Sequence, residues 1–403
     1  MSAAPSYVER NAAYWQRNLV VCVFGSFTTL VSLSMLLPIL PLYVEQLGVQ
    51  DPAAIVQWSS YAFSATFIGT GLTAPLWGRL ADTYGRKPMV VRAAVAMAVV
   101  MSLIGTAGSA TELVVLRLLA GLFGGFASAS VVLIGSQVPK ERAGWALGVL
   151  STGALCGNLS GPLVGGFLSP WVGIRGTFFV GGALIATTAL ACMVALREDF
   201  MRRPAGLRPQ LAPSRSRGQR SAIAVLLMTA AMVLFASMSI EPILTVYVEQ
   251  LGIAKAQLPQ YAGIVMAATA LGSLLAAPKM GALADRIGAW RVIFWSLLAT
   301  SLTLLPQAWA SQWWQLCLLR FLMGITLAGL LPAIGKLVRT LAGEGASGRL
   351  LGLLQSAQFA GQVAGPLLAG QVGAHLGLSQ VFYMTGGLLA VGAVLVRIGR
   401  PRV

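Results

Sequence analysis

A thirteen-residue stretch of this chain recurs half a length further on. Leu37-Pro-Ile-Leu-Pro-Leu-Tyr-Val-Glu-Gln-Leu-Gly-Val49 returns as Glu241-Pro-Ile-Leu-Thr-Val-Tyr-Val-Glu-Gln-Leu-Gly-Ile253, at an offset of 204 residues. Pro38, Ile39, Leu40, Tyr43, Val44, Glu45, Gln46, Leu47 and Gly48 match Pro242, Ile243, Leu244, Tyr247, Val248, Glu249, Gln250, Leu251 and Gly252. Self-similarity at half the chain length means two copies of one structural unit.

Composition names the solvent of those units. Of 403 residues, 57% are hydrophobic and 10% charged, where a soluble domain carries about 25% charged. So little polar surface points to lipid. A helix needs about 20 apolar residues to cross the hydrocarbon core, so twelve spans use about 240 residues. Apolar segments lie near 19–43, 55–77, 89–109, 113–136, 144–168 and 175–196. They resume near 222–248, 259–280, 291–309, 313–337, 349–372 and 379–397. The expected fold is an all-α membrane protein, with twelve transmembrane helices in two pseudo-symmetric six-helix bundles. Residues 1–196 form the first bundle, 197–221 a cytoplasmic linker and 222–403 the second. Paired bundles in lipid are the architecture of a carrier that binds its substrate near the midplane between them.

The net charge of +16 sits in clusters between apolar runs and not along one basic face, which argues against nucleic acid as a partner. Arg79, Arg86, Lys87, Arg92, Lys140, Arg142, Lys279, Arg286, Arg291, Lys336, Arg339, Arg349 and the terminal arginines fall on one side. The linker adds Arg197, Arg202, Arg203, Arg208, Arg215, Arg217 and Arg220; the other side has Arg175 and Lys255. This asymmetry places both termini in the cytoplasm. Trp15, Trp58, Trp77, Trp171, Trp290, Trp309, Trp313 and Trp314 fall near span ends, where interfacial anchors belong. Glu9, Arg10 and Arg17 precede a run too long for a signal peptide, so it reads as a retained first span. Cys22, Cys156, Cys192 and Cys317 lack metal-ligand spacing and read as packing thiols. The single histidine, His375, has no catalytic set around it, and no phosphate-binding loop is visible. The chain therefore reads as no enzyme, with no metal and no cofactor.

Gly78-Arg-Leu-Ala-Asp-Thr-Tyr-Gly-Arg-Lys-Pro-Met-Val90 joins spans two and three. Gly78 and Gly85 permit a tight turn, Asp82 suits a helix N-terminus, and Arg86 and Lys87 lie near the lipid surface. Such a group can latch one conformation by ion pairing and release it in another. A degenerate copy runs from Gly281 to Arg291, with Asp285 for Asp82 and Gly288 for Gly85. Gly157-Asn-Leu-Ser-Gly-Pro-Leu-Val-Gly-Gly166 in span five returns in span eleven as Gly361-Gln-Val-Ala-Gly-Pro-Leu-Leu-Ala-Gly370. Arg117 with Gly121 in span four returns as Arg320 with Gly324.

Taken together these motifs resemble the major facilitator superfamily over nearly the whole chain, in particular its twelve-span drug:proton antiporters. The loop signature, the arginine of span four and the antiporter-type motif (Gly157, Gly161, Pro162, Gly165, Gly166) carry the likeness. The resemblance implies export of diverse amphipathic drugs or toxic compounds across the cytoplasmic (inner) membrane. It further implies a proton gradient as energy source, membrane lipids as surroundings and function as a monomer. A carrier for one nutrient or metabolite is the competing reading. Several relatives carry an acid inside span one; residues 19–42 hold none, so coupling must use another group.

Glu241 is the most suggestive carboxyl, because Leu37 fills the matching place in span one. It is either a proton site or a hydrated residue near the outer interface. Arg117 and Arg320 are costly to bury and serve either proton coupling or helix-pinning hydrogen bonds. Glu45 and Glu249 read as gate residues. Gln355, Gln358 and Gln362 share one face of span eleven, lining a cavity or binding neighbouring helices. Met35, Phe235 and Met238 are candidates for an adaptable apolar lining.

Overall fold

The computed structural model describes residues 7–199, 217–342 and 347–399. Arg202, Arg203, Arg208 and Arg215 of the linker, and the terminal Arg400 and Arg402, lie outside the described residues, as does the side chain of Lys140.

Helices account for the apolar runs. Span one runs Tyr7–Ser34 and continues through a 3-10 turn, Leu37–Ile39, into Leu40–Gln46. Pro38 and Pro41 enforce that break, since neither offers an N–H to the helical ladder. Span two is Pro52–Tyr84 and span three Arg86–Ile104. Span four is split into Ala110–Phe123 and Phe126–Gln137. The helix Ala143–Ala195 has 53 residues, which at 1.5 Å each is about 80 Å, too long for a core of about 30 Å. Gly173, at φ 73°, folds it into spans five and six. Spans seven to nine are Arg217–Gln250, Leu258–Ile287 and Ala289–Leu304 with Leu305–Trp309. Span ten is Trp313–Leu327 with Leu330–Ala342. Spans eleven and twelve are Ser347–Leu376 and Leu378–Gly399. Nine helices among the described residues are long and apolar enough to cross a membrane. The order is consistent with twelve crossings, because the folded helix serves twice and spans two and eleven are long but more polar.

Two hydrophobic cores form. One gathers residues from Trp15 to Leu196. The other gathers residues from Ile223 to Val396, together with Val56 of span two. The repeat is visible in detail. Tyr43 donates to the Ile104 carbonyl at 2.7 Å, and Tyr247 to the Gln307 carbonyl at 2.7 Å. Their rings pack on Phe178 and Phe382. Trp15 differs from the expected anchor: it is buried against Trp145. Trp171 and Trp309 are exposed, as anchors would be.

The halves meet at one end of the bundle. Thr245 donates to the Pro38 carbonyl at 3.1 Å, Ser64 to the Val363 carbonyl at 3.2 Å, and Gln371 to the Tyr61 hydroxyl at 2.7 Å. Lys255 donates to Glu45 at 2.5 Å, and Gln57 lies 3.2 Å from Nε2 of His375. Toward the other end the same faces part. Pro75, Gly78 and Asp82 continue the contact face of span two, and Gly352, Gln355 and Ser356 that of span eleven. All six are exposed. The space between the halves is thus closed at the end bearing Gly48 and Gly252, and open at the end bearing Gly85 and Gly288.

Candidate functional site

Two arginines occupy equivalent places and meet different partners. Ser109 caps span four by accepting from the Glu112 N–H, while the Glu112 carboxylate takes the Gly108 N–H. That pattern is close to a capping box and assigns Glu112 to a helix end. Two turns on, Arg117 is 4% exposed. Its Nε donates to the Ala62 carbonyl of span two at 3.3 Å, and its guanidinium lies 6.0 Å from the Phe63 ring centre. No ion pair to Arg117 is found among the described residues. Arg320, fully buried in span ten, pairs through Nη2 with Glu241 Oε1 of span seven at 2.9 Å. Glu241 is 15% exposed, so the sequence's most suggestive acid and its second arginine form one ion pair. The first half cannot make it, because Leu37 stands where Glu241 would.

The glycine after each arginine explains the close seating. A Cβ on Gly121 would run into the Thr66 carbonyl, and one on Gly324 into the Thr269 carbonyl. Spans two and four, and likewise eight and ten, touch backbone to backbone.

The loop between spans two and three is a tight turn at Gly85, which takes φ 98°, a left-handed value that favours glycine. Gly78 and Asp82 are exposed, and no partner of Asp82 is found among the described residues. Arg86 and Lys87 contribute their backbone N–H groups: both donate to Glu198, at 2.8 and 2.7 Å. A carboxylate there is favoured by the start of span three. Next to it Asn18, fully buried, donates to Gln137 and to the Arg197 carbonyl, each at 2.7 Å, and accepts from the Arg197 N–H. The root of the linker is thus clamped to the first half. In the second half Asp285 pairs with Lys336 at 2.5 Å.

The Gly-Pro motif of span five packs on span one: Gly157 against the Phe27 carbonyl, Gly161 against Ser34, Gly165 against the Met35 carbonyl. The last turn reaches across to the other half. Gly166 faces the Pro259 carbonyl of span eight, and Gly263 of span eight faces the Pro162 carbonyl. In span eleven, Gly361 and Gly365 pack on span seven, and Gly370 meets Ser60 of span two.

Comparison with known proteins decides what such an arrangement belongs to. The sequence profile of the Major Facilitator Superfamily matches residues 22–261 and 226–403. The chain belongs to that superfamily. Multidrug resistance protein MdtG of Proteus mirabilis (strain HI4320) is 37% identical over 377 residues, covering 93% of this chain and 94% of that protein. Its namesake in Salmonella typhimurium (strain LT2) is 38% identical over 394 residues, covering 97% and 96%. Among solved structures, a point mutant of the nucleoside transporter NupG superposes with a TM-score of 0.77 at 12% identity, covering 95% of this chain and 100% of that one. A bacterial homologue of the human lysosomal transporter Spinster, inward-facing and unoccupied, gives 0.74 at 16%, covering 96% and 97%.

As a major facilitator, the chain is a transporter and not an enzyme. The likeness to solved structures concerns the fold; what is carried must be read from the lining. Gln358 and Gln362 are half-buried and Gln355 exposed, and none has a hydrogen-bond partner among the described residues. By helical angle they lie between the face of span eleven that touches span two (Phe359, Val363) and the face that touches span seven (Gly361, Gly365). In this conformation no hydrogen bond from them ties helices together among the described residues. Met238 is half-buried against the first half's core. Phe235 is buried, and Met35 is fully buried, its end near Gly181. Met35 therefore packs inside the first bundle and lines no open space here. Cys22 and Cys192 are buried and Cys156 and Cys317 half-buried, all free thiols. The contacts among Glu198, Asn18 and Gln137 were not legible in the sequence. Two polar amides at the ends of spans one and four nearest Gly85 were the only signal.

Proposed function

We propose that this major facilitator exports amphipathic toxic compounds across the cytoplasmic membrane by alternating access, with protons entering in exchange. Near-full-length identity of 37–38% to MdtG multidrug resistance proteins supports the substrate class. The observation that carries the coupling is the Arg320–Glu241 pair, the only buried ion pair among the described residues. With both termini cytoplasmic, as the distribution of Lys and Arg suggests, the closed end is outer and the open end faces the cytoplasm. A proton arriving on Glu241 Oε1 takes the place of the Arg320 Nη2 hydrogen bond and leaves a buried guanidinium without its counter-charge. Breaking a buried pair costs about 3–5 kcal/mol. Reversing a two-state population from 1:99 to 99:1 takes about 5.5 kcal/mol, so one protonation is of the right size to move the carrier. Asp82, Arg86 and Lys87, parted from the second half here, would latch the cytoplasmic side when it closes, with Asp285 and Lys336 as their counterparts. Gln358, Gln362 and Met238 would meet substrate; Met35 and Phe235 would do so only after rearrangement.

Proteoliposomes under an imposed pH gradient test this. Glu241→Gln should abolish gradient-driven flux while sparing substrate exchange at equal pH. Gradient-driven flux at the parent's rate would remove Glu241 from the mechanism. Transport of a single metabolite with no effect on a broad drug panel would replace the substrate class.

A further inference from the structure

On the lipid-facing side of span three lies a groove of about 680 Å³, and we infer that it binds one acidic phospholipid, phosphate on Lys87 and Arg92 and acyl chain along the helix. Its wall is apolar: Val91, Val95 and Ala96 of span three, Phe123 of span four and Met193 of span six. Val95, Phe123 and Met193 are exposed. In a chain that crosses the membrane, those side chains face lipid tails.

The charge at the groove's head selects the lipid. Span four breaks at Gly124 and Gly125, which frees its carbonyls. The Trp77 indole donates to the Leu122 carbonyl at 2.7 Å, and Arg92 donates to the carbonyls of Phe123 and Gly124 at 3.0 and 3.2 Å. The Arg92 guanidinium lies 3.4 Å from the Trp77 ring centre. It thus holds a fixed position, its Nε buried and without a partner, so that only Nη1 and Nη2 can reach a phosphate. Neither Arg92 nor Lys87 has an ion pair among the described residues, and the neighbouring Glu198 is spent on two backbone N–H groups. The two cations sit beside an apolar furrow at the membrane–water boundary, where anionic headgroups attract basic residues.

Internal symmetry shows that the fold does not require them. The matching positions of span nine are Trp290 and Trp295, with Trp295 exposed. Span ten breaks at the same place without an arginine to cap it. Cations at these two positions are particular to the first half; span nine instead places Arg291 between its two tryptophans.

Native mass spectrometry of the delipidated full chain tests the site, comparing phosphatidylglycerol with phosphatidylcholine of identical acyl chains. The parent should retain one phosphatidylglycerol in preference. Lys87→Gln, which leaves the span four break intact, should weaken that lipid about fivefold and leave phosphatidylcholine unchanged. Val95→Trp, which fills the furrow, should weaken both. Lys336→Gln, which removes the same charge from the second half, should change neither. Excess glycerol 3-phosphate should fail to displace the lipid. Equal retention of the two lipids by the parent, parent-level binding in Lys87→Gln or Val95→Trp, an equal loss in Lys336→Gln, or displacement by glycerol 3-phosphate would each overturn the site.

Discussion

At the scale of residues, the chain separates two duties that its repeat would otherwise share. Arg117 and Arg320 stand at equivalent places, yet Arg320 alone faces a carboxylate. The glycines that follow them set backbone against backbone, so a side chain there must push helices apart. Gly324→Leu should destabilise the protein by about 1–3 kcal/mol, read as a lowered midpoint of thermal unfolding in detergent. Gly335→Leu, where an added side chain meets open space, should leave that midpoint unchanged. Each partner of the ion pair was legible in the sequence, because a charge inside an apolar run is conspicuous. Their pairing was not, because spacing along the chain carries no information about which helices adjoin. Met35 misled for the opposite reason: an apolar side chain in a span looks the same whether it faces a cavity, a core or lipid.

At the scale of elements, the closed end is made mainly by helix ends, with one bridge from a turn. Spans five and eight press together at Gly166 and Gly263, spans two and eleven at Ser60 and Gly370. Lys255 bridges the halves, 2.5 Å from Glu45 and 3.8 Å from Glu249. Its hydrogen bond to Glu45 raises its pKa above the ordinary 10.5. A raised value means that the link contributes fully below pH 10.5 and is lost only as pH climbs through the higher folded value. Spin-label distances across the closed ends of spans one and eight should therefore hold from pH 6 to 9 and lengthen above about 10.5. Lys255→Gln should shift the conformer ratio by less than about fivefold, since an exposed pair is weak. The twelve apolar segments and the Gly-Pro motifs could be read from sequence because lipid demands long apolar helices and close packing demands small residues. The clamp of Glu198 on span three could not, because residue 198 lies in a stretch whose composition reads only as linker.

At the scale of the whole molecule, the two bundles keep largely separate cores and touch near one end, so each can move as a body about that contact. If protons drive that motion as proposed, what it can accomplish is limited by how many ride with it. Among the described residues one carboxylate lies in the apolar interior, and its copy is a leucine. On the coupling proposed above, this one carboxylate would set an exchange of one proton per cycle. Exporting an uncharged drug would then be electrogenic, carrying one positive charge inward and drawing about 2.3 kcal/mol from every 100 mV of membrane potential. Exporting a monovalent cation would be electroneutral and blind to voltage. Collapsing the potential with valinomycin and potassium at constant pH should therefore slow the first and spare the second, an energetic signature inherited from one unrepeated residue in a repeated chain.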